Sequence, residues 1–175
     1  MFKKVLIVLL LVVAALLAYT ATRPDHFRVE RSVTIQAPPE KIYALIQDFH
    51  RWNAWSPWEK LDPAMTRTHS GAANGVGAIY AWSGNSDVGK GRMEIVEAQL
   101  PSKIVIKLDF LDPFEAHNIA EFALQPEGAG TRITWSMYGP SSFLTKLMDV
   151  IVGMDRMVGK DFETGLGNLK RAAES

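Results

Sequence analysis

The stretch Ile104-Val105-Ile106-Lys107-Leu108-Asp109-Phe110 reads as a strand. Successive side chains of an extended chain point to opposite faces, so Ile104, Ile106, Leu108 and Phe110 share one side, and Lys107 and Asp109 the other. The same dry side continues on flanking segments, upstream in Tyr80, Trp82, Met93 and Ile95 and downstream in Ile133, Trp135 and Met137. Arg92, Glu94, Arg132 and Thr134 fall on the wet side. Six strands are predicted in this region, over 65–70, 77–83, 89–98, 104–110, 118–125 and 131–138. Asn74-Gly75, Gly84-Asn85-Ser86-Asp87 and Pro126-Glu127-Gly128-Ala129-Gly130 supply turns between them. Short strands joined this way imply an antiparallel meander with one face buried.

Working outward, residues 27–36 alternate as a further strand, with Phe27, Val29, Arg31, Val33 and Ile35 on one side. Pro38-Pro39-Glu40 then opens a short helix whose Ile42, Leu45, Ile46 and Phe49 recur at helical spacing. It leads into Trp52, Trp55 and Trp58, three of the five tryptophans within seven residues. Such a cluster marks a core corner or a pocket wall, because each indole needs apolar surroundings and a partner for its N–H. After the meander, residues 141–172 carry a helical pattern. Gly153 and Gly159 each cost a helix about 1 kcal/mol, so a break is expected near 157–160. The final helix, 161–172, then places Phe162, Leu166 and Leu169 inward.

The N-terminus is different in kind. Met1-Phe2-Lys3-Lys4 precedes an unbroken apolar run from Val5 to Tyr19, which spans only about 22 Å as a helix. Counting from Phe2 to Thr22, with the lysines snorkelling, the segment suffices for the roughly 30 Å hydrocarbon layer. Residues 1–22 are therefore read as a membrane anchor with its N-terminus inside, 23–26 as a linker and 27–175 as one domain. The domain would be extracytoplasmic, periplasmic in a Gram-negative bacterium. A cleaved signal segment ending near Ala18-Tyr19-Thr20-Ala21 is the alternative, leaving a secreted domain.

Lys+Arg and Asp+Glu both number 19 and are dispersed, which argues against nucleic-acid binding. The chain has no cysteine, excluding disulfides, thiolate metal sites and a thiol nucleophile.

Strand, short helices, six-stranded meander and long C-terminal helix together resemble the START-like (SRPBCC) superfamily, the polyketide cyclase/dehydrase and lipid transport group, in its bacterial polyketide-cyclase-like branch. The resemblance covers about residues 27–173 and rests on Trp52-Asn53-Ala54-Trp55-Ser56-Pro57-Trp58, Gly89-Lys90-Gly91-Arg92-Met93-Glu94-Ile95, Gly130-Thr131-Arg132-Ile133-Thr134-Trp135 and the closing stretch from Asp161 to Lys170. It implies an α+β helix-grip fold, in which a curved seven-stranded antiparallel sheet wraps a C-terminal helix around a cavity. That superfamily includes carriers, enzymes, co-chaperone-like proteins and toxins, so fold alone does not choose among them.

Ligand contacts are expected from Trp55, Trp58, Tyr80, Trp82, Met93, Leu108, Phe110, Trp135, Met137, Met154 and Phe162, which combine the dry strand face with adaptable methionines of the last helical region. No two of the four histidines show a zinc pair's helical spacing, so no metal is expected, and no cofactor is implied. Candidate acid–base groups are His117 (with Glu121), Glu59 at the pocket rim and Tyr80. Each has a plainer structural reading, and no nucleophile elbow or phosphate loop is present. The expected function is a membrane-anchored carrier or sensor of an apolar small molecule such as a lipid, isoprenoid or aromatic metabolite. The rivals are a cyclase, dehydratase or hydrolase, and a protein-interaction module with a filled core.

Overall fold

The computed structural model describes residues Met1–Ser175. The apolar N-terminal run forms helix α1, Phe2–Ala21, exposed along nearly its whole length. Four residues connect it to strand β1, His26–Ile35. Helix α2, Pro39–Ile46, follows, with a proline in its first turn where no N–H is needed. Two short 3-10 turns, Phe49–Ala54 and Pro57–Lys60, then carry the tryptophan cluster. The strands β2 (Thr66–Gly71), β3 (Ala78–Ser83), β4 (Lys90–Gln99), β5 (Lys103–Asp112), β6 (Ala116–Glu127) and β7 (Gly130–Pro140) match the six predicted ones closely. They pair antiparallel in the order β1-β7-β6-β5-β4-β3-β2, a single seven-stranded sheet.

Helices α3, Phe143–Val152, and α4, Met154–Glu174, close the chain. The expected break falls at Gly153, not at 157–160. Gly153 has φ of +83°, a conformation only glycine adopts without strain, and it ends one helix and begins the next. Gly159 lies inside α4 for another reason. A Cβ there would collide with the guanidinium of Arg31, which crosses the helix from β1 to reach Asp155 (2.9 Å) and Glu163 (2.7 Å). Arg31, read as sharing a face with Phe27 and Val29, thus lies on the inner side of the sheet but only because α4 supplies carboxylates for it.

The core divides along the strands. At one end Ile35, Ile95, Ile104, Phe122, Leu124 and Ile133 meet α2 and the buried Trp52 and Trp55. Both indole N–H groups are satisfied there by carbonyls of α2, Trp52 donating to Ile46 at 2.9 Å and Trp55 to Leu45 at 3.1 Å. At the other end the first half of α4 bridges the sheet without filling the space beneath it.

Candidate functional site

That space is a cavity of about 300 Å³, at the lower end of ligand pockets. Sheet residues Tyr80, Trp82, Met93, Leu108, Phe110, Ala120, Trp135 and Met137 form its floor. Trp52, Trp58, Met65 and Val88 form a side wall, and Met157, Val158 and Phe162 of α4 the roof. The strand alternation explains the floor, since the dry face continues past the point where α2 stops covering it. The interior is therefore not plugged by its own aromatic side chains.

Most of the expected contact residues line this cavity: Trp58, Tyr80, Trp82, Met93, Leu108, Phe110, Trp135, Met137 and Phe162. Trp55 and Met154 do not. Trp55 is wedged among Trp52, Phe122 and Trp135 with its N–H spent on α2, so the core reading holds for it. Met154 opens α4 one turn before the roof, a consequence of the break at Gly153. Trp135 is the centre of the aromatic packing. It stacks on Phe162 at 4.0 Å and on Phe122 at 4.9 Å, with Trp55 and Trp58 edge-on. Its N–H is buried without a partner.

Polar groups meet the cavity at few points. Glu59 sits between Tyr80, whose hydroxyl donates to Oε1 at 2.5 Å, and Arg67, whose Nε donates to Oε2 at 2.7 Å. Burial and the Glu59 carboxylate push the Tyr80 phenol far above its ordinary value, so it stays a neutral donor. Glu59 and Tyr80 also wall an outer polar cleft containing His50, Asn53, Arg67 and His69, and so partition the apolar interior from a wet exterior. Asp161, which sequence reasoning missed, lines the roof. Burial raises its carboxyl, opposed by Lys160 and the Trp58 indole. Its only signal in the chain was a carboxylate adjoining the inward Phe162. With Ser56 and Asp87 these complete the polar lining, which contains no lysine, arginine or histidine.

His117 stands apart from the site. It extends from the opposite face of the sheet, exposed, with Nδ1 2.7 Å from Asp109 and Nε2 3.3 Å from Glu115. Glu121, proposed as its partner, instead meets Tyr138 and Lys103. The register explains the exchange, because Asp109 and His117 are directly opposed across β5 and β6. Hydrogen bonding to Asp109 raises the His117 pKa, whereas burial and the stacked His50 ring lower that of His69. An NMR titration is expected to place His117 above, and His69 below, the ordinary imidazole value of about 6.5, with Asp109→Asn bringing His117 back toward it. The sign for stability follows. The His117 pair stabilises fully below the unfolded value and is lost as pH rises through the raised one, while His69 withdraws stability as pH falls below its unfolded value.

The family model described as polyketide cyclase/dehydrase and lipid transport matches residues 26–174. The chain belongs to this family. The polyketide cyclase/dehydrase and lipid transport fold is likewise found in solved structures. Protein CV1439 from Chromobacterium violaceum is 18% identical with a TM-score of 0.60, the match covering 87% of this chain and 99% of that one. The Aha1 dimer from Colwellia psychrerythraea is 17% identical with a TM-score of 0.57, covering 85% and 96%. The di-domain ARO/CYC protein BexL of the BE-7585A biosynthetic pathway is 17% identical with a TM-score of 0.63, over 90% of this chain and 53% of that protein. At these identities the likeness is one of fold. No curated protein matches the chain.

Proposed function

We propose that the chain is a membrane-anchored binding protein, a carrier or sensor, for a neutral apolar small molecule held between the sheet and α4. The observation that carries this is the lining of the cavity: apolar walls, a neutral Tyr80 hydroxyl, and no cationic side chain. A fatty acid or prenyl phosphate with its head group inside would find carboxylates and neutral hydroxyls but no cation, and would lose its hydration without a counter-charge. A sterol-like, isoprenoid or aromatic molecule bearing a hydroxyl or carbonyl faces no such penalty. Residues 1–22 serve as the anchor and 23–26 as the linker, with the domain of residues 27–175 outside the cytoplasm. The 20 residues of α1 span about 30 Å, enough for the hydrocarbon layer. An anchored cavity meets membrane ligands at a raised effective concentration.

The test is mass spectrometry of the organic extract of the full chain purified from a membrane fraction. A neutral apolar compound bound near one per protein is expected. Protein that is repeatedly empty, and stays so after incubation with membrane lipid extract, overturns the carrier reading.

An acid-catalysed cyclisation or dehydration is the second reading. Asp161, whose carboxyl burial holds toward its protonated form, lines the apolar chamber, and a protonated carboxyl there is what such a reaction would require.

A further inference from the structure

Helix α3 is built inside out. Its charged residues turn toward the connection between α1 and β1: Lys146, with a side chain only 10% exposed, reaches Asp25 at 2.5 Å, and Asp149 accepts from Arg23 at 3.2 Å. Most of its apolar residues are exposed, Phe143 at 49%, Leu144 at 45% and Ile151 at 62%, Leu147 and Val150 are half-buried, and no residue of the helix is buried. A surface helix of a water-soluble domain shows the reverse arrangement. An exposed apolar strip of this kind marks an interaction surface.

What covers it follows from where it is tied. Arg23 and Asp25 belong to the four-residue connection between α1 and β1, and the Ser141 N–H donates to the Asp25 carbonyl at 2.7 Å. Four residues reach at most about 14 Å, so α3 cannot stand far from the end of α1, against which it packs. The sheet register puts other apolar features at this same end. The last residues of β5 and its turn into β6 expose Leu111 and Phe114, and the exposed members of the cavity lining, Asp87 and Met157, are here too.

We propose that α3 and the β5–β6 tip lie in the surface of the lipid bilayer that α1 enters, with the cavity opening toward the acyl chains. This rests on α1 spanning the membrane. An interfacial helix sinks its apolar face about 5–10 Å into the head-group boundary, which accommodates Phe143, Leu144 and Ile151 while the ion pairs to Arg23 and Asp25 keep the helix beside the end of α1. The arrangement gives a ligand an oily route from the bilayer to the cavity.

The absence of cysteine makes the test direct. Full-length chain carrying Leu144→Cys, Ile151→Cys or Leu100→Cys is labelled with a polarity-sensitive fluorophore and reconstituted into phosphatidylcholine vesicles with brominated acyl chains. Leu100 is 69% exposed at the opposite end of the sheet and serves as the reference. Blue-shifted emission at 144 and 151, quenched several-fold more than at 100, is expected. Protein that floats with the vesicles yet shows all three probes in water overturns the docking and leaves the anchor standing. Protein that does not float overturns both. Probes at 144 and 151 that are dry but unquenched by lipid, with a signal that depends on protein concentration, show a second copy covering α3 and equally overturn the proposal.

Discussion

Replacing Ala120 by Phe is expected to abolish ligand retention while leaving the fold intact. Ala120 is the small residue of the cavity floor, set between Ile106 on β5 and Met137 on β7 in the sheet register. The phenyl ring added there projects into existing space of about 300 Å³ instead of into packed atoms. The usual overpacking cost of about 1–3 kcal/mol should therefore not appear in full, and the new ring gains apolar contacts. The ligand loses its volume, so at least about a tenfold loss in affinity, equal to about 1.4 kcal/mol, is expected in the extraction assay or with a fluorescent lipid analogue. If the variant binds as the native chain does, the occupied site lies elsewhere. A fall in unfolding stability as large as that of a core mutant would show that the cavity collapses in solution.

Trp135→Ala is expected to have the largest effect on stability, about 3–5 kcal/mol in urea unfolding followed by far-UV circular dichroism. The indole is buried and contacts aromatic rings from β6, from α4, from the second 3-10 turn and from Trp55 between the two turns, so its removal takes away the ring that joins the sheet to the elements laid on its centre. Trp135→Phe separates packing from polarity. It keeps a ring against Phe162 and deletes an N–H that has no partner, a group whose burial costs about 1–3 kcal/mol, so the net loss should be small. If Phe proves as damaging as Ala, the N–H has a partner in solution, and an ordered water or the ligand itself becomes the leading candidate.

The sheet was legible because strand alternation is a local signal. Each of the six meander strands could be placed from its own residues and the turns beside it, and the floor of the cavity followed from the dry face. What escaped was set by partners remote in the chain. Gly153 and Gly159 carry the same helix penalty, and only the arrival of Arg31 from β1 distinguishes the one that ends a helix from the one that makes room within it. Trp55 and Trp58 sit three residues apart on irregular turns, where neither helical nor strand periodicity assigns a face. His117 took Asp109 instead of Glu121 because cross-strand register, which no single strand encodes, opposes the first pair. Asp161 lay next to an inward Phe, where a helical wheel places it at the margin and only the missing cover overhead makes it part of the cavity.

The edge strand β1 pairs solely with β7, residue His26 opposite Pro140, more than a hundred residues later. During synthesis the first extended segment of the domain must wait, unpaired, until nearly the whole meander exists. Contacts of such long sequence separation slow folding and leave strand edges open to wrong partners. Helix α4, which clamps β1 through Arg31, arrives later still. Assembly of the cavity roof and the clamp on β1 should thus be one final event, and a nascent chain truncated before Met154, though it can pair β1 with β7, would leave the dry face of the sheet uncovered before chaperones.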